Sequence, residues 1–175
     1  RLDVGHRWRS PGIHAQSAFA VTPEPQGTRV ASAGADGFLR LWDATTGDQL
    51  HQWKAHQTWV TKALWRQNGI WSAGADGRLK QWSDTGQERL NVVASTKAVT
   101  ALMVQGDTVF TGSELGEVRA FDMHTGKERW RTQVKGTIMS MTNMSGAIYV
   151  GLAKGVVSIW DMTNGRSRGR VRGDK

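Results

Sequence analysis

The feature that most constrains this chain is a repeat. Four segments align without gaps: SAGADGFLRLWD (32–43), SAGADGRLKQWS (72–83), TGSELGEVRAFD (111–122) and VGLAKGVVSIWD (150–161). Their aromatic anchors, Trp42, Trp82, Phe121 and Trp160, lie 40, 39 and 39 residues apart. A second landmark follows each anchor by four or five residues: Gly47, Gly86, Gly126 and Gly165. Two landmarks keeping one step exclude coincidence. A fixed period of this size means one supersecondary unit used over and over, each burying its apolar faces only against its neighbours.

Each unit reads as short strands separated by turn signals. In the first, AFAV (18–21) is followed by the turn TPEPQG, RVASAG (29–34) by ADG, FLRLWD (38–43) by ATTG, and DQLHQWK (48–54) ends the unit. That makes four strands in about 40 residues with no helical periodicity, the requirement of a β-propeller blade. The predicted fold is all-β, a propeller of four-stranded antiparallel blades. Blade 1 is expected over 14–54, blade 2 over 55–94, blade 3 over 95–134 and blade 4 over 135–173, ending in a basic strand or tail. Residues 1–13 read as the end of a preceding blade or a linker, with Leu2-Asp3 placed like Trp42-Asp43, Gly5 like Gly47 and Trp8 like Trp53 or Trp130. Four units of this length fall short of the usual ring. The expectation is a segment of a larger propeller, its ring completed by another segment or chain.

Composition follows from the repeat. The 175 residues include 21 glycines, 9 tryptophans and a single tyrosine, as expected for many tight turns and one large side chain reused at an equivalent position. With no cysteine, disulfides, thiolate metal sites and cysteine nucleophiles are excluded. Hydrophobic residues are 38% and charged residues 22%, the balance of a globular chain, and no direct membrane insertion is expected. The net charge is +8, and most of it sits at the ends. Residues 1–9 hold Arg1, Arg7 and Arg9 against Asp3, and residues 166–175 hold four arginines and Lys175 against Asp174. A nearly neutral body argues against the whole fold acting as a nucleic-acid surface.

The chain resembles the WD40-repeat family over nearly all its length. The resemblance implies a buried network in each blade: a His before the first strand, a Ser or Thr in the second, an Asp in the next turn, and the anchor Trp. Blade 1 matches with His14, Ser32, Asp36 and Trp42, and blade 2 with His56, Ser72, Asp76 and Trp82. A buried indole N–H needs an acceptor, and a buried Asp–His pair must be satisfied together. Blade 3 keeps Thr111 but has Leu115 and Phe121, and blade 4 has Val150 and Lys154 beside Trp160. Both are therefore expected to be held by apolar packing, and they also resemble quinoprotein-type propeller repeats.

No catalytic constellation, metal-ligand spacing or cofactor is expected. His6, His51 and His124 fall in strand or turn positions, and a Ser/His/Asp set that recurs per blade and ends on an indole matches no nucleophile mechanism. The family resemblance implies that partners dock on the face carrying Gln57, Trp59, Lys97, Lys135 and Lys154. Trp59 reads either as packed on the neighbouring blade, the commoner role, or as an exposed anchor. Arg166, Arg168, Arg170 and Arg172 alternate; on a strand all four project from one face, toward an acidic partner or RNA, or else they guard an outer edge. The leading expectation is a non-catalytic scaffold for protein–protein interactions in a multi-subunit assembly. The alternatives are a ribonucleoprotein subunit with its basic ends on RNA and, more distantly, a quinoprotein-like redox enzyme.

Overall fold

A computed structural model describes residues 14–172; the readings placed on 1–13 lie outside them. Sixteen strands form four antiparallel sheets, each in simple meander order. Blade 1 comprises β1 (Ala18–Pro23), β2 (Arg29–Gly34), β3 (Phe38–Asp43) and β4 (Gln49–Lys54). Blade 2 comprises β5 (Val60–Arg66), β6 (Gly69–Gly74), β7 (Arg78–Trp82) and β8 (Glu88–Val93). Blade 3 is β9 (Val99–Gln105), β10 (Thr108–Ser113), β11 (Glu117–Asp122) and β12 (Glu128–Gln133). Blade 4 is β13 (Ile138–Met144), β14 (Ala147–Leu152), β15 (Val156–Asp161) and β16 (Ser167–Arg172).

Alternation along each middle strand explains why the blades stack. On β6, Ile70 faces blade 1 while Trp71 and Ala73 face blade 3, and all three are fully buried. Three apolar layers result. Leu39, Leu41 and Trp53 meet Trp65 and Trp82; Trp71 and Leu79 meet Val109 and Phe121; Phe110 and Val118 meet Ile148 and Val150. The inner strands run β1 on β5, β5 on β9 and β9 on β13, and among the described residues β13 has no comparable packing on β1. The four blades make an arc of a propeller, not a closed ring.

The glycine landmark is a seat for the preceding blade. Gly165 has φ +66°, and a Cβ there would lie 2.5 Å from Trp130 of β12; at Gly86 (φ +84°) a Cβ would lie 2.9 Å from Trp53 of β4. The Asp after the anchor shapes the same turn: Asp43 Oδ1 accepts the N–H groups of Thr45 at 2.7 Å and Thr46 at 3.0 Å. Such a side chain mimics a backbone acceptor and holds the tight connection.

Candidate functional site

In blade 2, Ser72 Oγ accepts the Trp82 indole N–H at 2.9 Å and lies 2.8 Å from His56 Nε2, while His56 Nδ1 lies 2.9 Å from Asp76. The hydroxyl has one proton, so it donates to Nε2, and the proton on Nδ1 points at the carboxylate. Blade 1 repeats this through Trp42, Ser32, His14 and Asp36, with Arg40 adding a 2.7 Å bond to Asp36. Burial raises the Asp36 carboxyl, but bonds from His14, Arg40 and the Phe38 N–H outweigh it and hold it at about 2. Asp76 is lowered by the same contest between burial and His56. These histidines and carboxylates are fully engaged in bracing the blades.

Blade 3 corrects the expectation of purely apolar support. Ser95 stands in the histidine position and donates to Glu117 at 2.7 Å, and Arg119 bridges Glu117 at 2.6 Å and Glu128 at 3.4 Å. A different set of side chains closes the same cleft. Blade 4 has no such set among its described residues, and the buried Trp160 Nε1 has no hydrogen-bond partner. Val150, in place of the blade's serine, is the reason.

The candidate binding surface lies where the four inner strands converge. The first and second strands of every blade shift register at one position, so Phe19, Thr61, Thr100 and Met139 fall outside the regular pairing. A bulge re-aims its unpaired side chain. These four residues, with Trp59 and Lys62, line a cavity of about 390 Å³. Thr61 Oγ donates to the Val99 carbonyl of the next blade, and Thr100 Oγ to that of Ile138, stitching the inner strands together. The end blades carry Phe19 and Met139 there instead, 44% and 56% exposed, and Trp59, just before β5 of blade 2, is 53% exposed. The Phe19 and Trp59 rings pack at 5.9 Å with a 49° tilt. Trp59 thus packs on Phe19 of the neighbouring blade and still keeps about half of its surface open.

The structure separates the other expected contacts. Gln57, Lys97, Lys135 and Lys154 are all exposed, on the loops entering blades 2 to 4 and the β14–β15 turn, but none lines the central cavity. The four arginines do not act as one row. Arg166 precedes β16, and Arg168 is tied to Asp161 at 2.5 Å, as Arg129 is to Asp122 at 2.6 Å. Sequence reasoning missed Phe19, Lys62 and Met139. Their signal was the residue following each first-strand apolar position, readable only once the bulge is known.

Among known families, residues 35–171 match the PQQ-type repeat family described as outer membrane protein assembly factor BamB. The chain belongs to this propeller-repeat family. Residues 10–43 also match the WD domain, G-beta repeat, so the first blade keeps a WD40 character. No curated protein matches the chain. Among solved structures, the computationally designed Ika4 protein superposes with a TM-score of 0.81 at 26% identity, covering 89% of this chain and 97% of that one. The computationally designed Ika8 protein superposes at 0.71 with 20% identity, covering 96% of this chain and 65% of that one, a likeness of fold alone. Among the described residues, no three His, Cys, Asp or Glu side chains gather as a metal set.

Proposed function

We propose that this chain is a non-catalytic propeller scaffold that holds a partner protein at the central mouth, within a larger assembly. The observation that carries this reading is the open Phe19–Trp59–Met139 cluster around a 390 Å³ cavity with Lys62 beside it. Large rigid aromatic surfaces flanked by a cation are the side chains that dominate protein interfaces. The network residues support the same reading from the other side. Their hydrogen-bonding capacity is spent on indoles, serines and each other, leaving no free nucleophile–base pair there. A rigid fold with engaged polar groups and one open aromatic mouth suits recognition, although fold alone does not fix function.

The test begins with chains that co-purify with the protein, identified by mass spectrometry, and then measures Kd for the purified pair. Trp59→Ala is expected to weaken binding about tenfold or more, as truncation of a central aromatic anchor does. The unfolding midpoint should fall only slightly, through loss of the contact with Phe19, because about half of the residue is exposed. An unaltered Kd in a normally folded Trp59→Ala protein overturns the assignment.

A further inference from the structure

At one register position of the third strand, blades 1 to 3 each carry a long basic side chain that is largely buried. Arg40 meets Asp36 at 2.7 Å, Lys80 meets Glu88 at 2.9 Å, and Arg119 meets Glu117 at 2.6 Å. Blade 4 has Ser158 there. It also has Val156 where blade 3 has Glu117, and Lys135 where the entering loops of blades 2 and 3 have His56 and Ser95. The loop registers are equivalent: the N–H groups of Ala55, Ala94 and Val134 each bond the carbonyl of the turn glycine, Gly37, Gly77 and Gly116.

The consequence is a cavity of about 500 Å³ between the end of blade 3 and the face of blade 4. Its floor is apolar, with Leu152, Val156 and Trp160, and its rim holds Lys135, Arg170 and Arg172. Arg170 stands directly across from Ser158 and Arg172 across from Val156, so both guanidinium stems flank the emptied position. Among the described residues no carboxylate lines the cavity. Among the described residues neither arginine has an ion-pair partner, whereas Arg168 on the same strand is engaged by Asp161. The cleft faces blade 3, so a further blade stacked on the outward face of blade 4 leaves it open.

We propose that this groove binds an acidic peptide segment of a partner protein. An apolar side chain of the peptide packs on Trp160, Leu152 and Val156, and its carboxylates pair with Lys135, Arg170 and Arg172. Three cations without a counter-charge among the described residues set the sign of the ligand, and arginine forks match carboxylates in bidentate geometry. The apolar floor decides between sources of negative charge. Leu152 and Val156 offer a phosphodiester backbone no gain, whereas a leucine or phenylalanine side chain of a peptide packs on them.

The test uses three fluorescein-labelled probes: a glutamate-rich octapeptide with a central Leu-Phe, the same peptide with Ser-Gly at the centre, and an oligouridine. The Leu-Phe peptide is expected to bind about tenfold more tightly than the Ser-Gly peptide. Arg170→Gln with Arg172→Gln, both on an exposed strand, should weaken it about tenfold or more with an unchanged unfolding midpoint. Ser158→Arg, which refills the cleft as Arg119 does in blade 3, should remove the preference for Leu-Phe. Trp59→Ala should leave this binding intact, which separates the groove from the central mouth. Equal affinity for the two peptides, tighter binding of the oligouridine, or indifference to both groove variants overturns the proposal.

Discussion

Replacing Ser72 by alanine tests how much one hydroxyl contributes to a blade. Ser72 is fully buried, and its oxygen serves two groups at once: it accepts from the Trp82 indole at 2.9 Å and donates to His56 Nε2 at 2.8 Å. Alanine removes both interactions at a position that solvent does not reach. Each buried polar group left unpaired costs about 1–3 kcal/mol. His56 keeps its bond to Asp76 through Nδ1, so the expected cost is about 2–4 kcal/mol. For a domain of this size that is a fall in Tm on the order of 10 °C. Urea unfolding followed by tryptophan fluorescence reads the same quantity as a lower midpoint at unchanged slope. A double-mutant cycle with Trp82→Phe isolates the indole contribution. Once the donor is gone, the serine change should cost at least about 1 kcal/mol less than it does in the natural background. A cost below about 0.5 kcal/mol for Ser72→Ala, or a coupling of zero, would refute the network as the brace of the blade.

Two further outcomes follow from the same geometry. Asp36 is held at about 2 against an ordinary 3.8, so its charged form contributes stability that is fully present above pH 4 and lost as pH falls through 2. The stability gap between the natural protein and Asp36→Asn, roughly 2 kcal/mol at neutral pH, should therefore close between pH 4 and 2; a gap that stays constant with pH would contradict this. Gly155→Ala should cost about 1 kcal/mol, because its φ is +70° but nothing lies near its missing Cβ. Gly165→Ala, at φ +66°, should cost at least about twice that, since Trp130 occupies the place of the Cβ. Equal unfolding midpoints for the two variants would remove the glycine from its role as a seat.

Much of the fold was legible because its determinants are local and recur. Strand alternation, the Asp-Ala-Thr-Thr-Gly type of turn and the His, Ser, Asp and Trp positions each recur at nearly the same offset within a unit. The blade 3 network was not legible, because Ser95, Glu117, Arg119 and Glu128 form a substitute set that matches no repeated pattern. The glycines held a further clue. Gly34 and Gly74 lie where a Cβ would meet the His14 and His56 rings, and where blades 3 and 4 lack that histidine the same strand position carries Ser113 or Leu152.

The repeat by itself determined the architecture: four-stranded blades, their anchors, and two complete buried networks. Every one of those interactions closes within a single unit of about 40 residues, so the spacing of residue types encodes it. The tertiary structure alone decided the two candidate binding surfaces. The central mouth exists because bulges on four different strands aim Phe19, Thr61, Thr100 and Met139 at one point. The groove at Ser158 exists because a side chain present in three blades is missing from the fourth, and a vacancy has no sequence signature until its neighbours are packed around it.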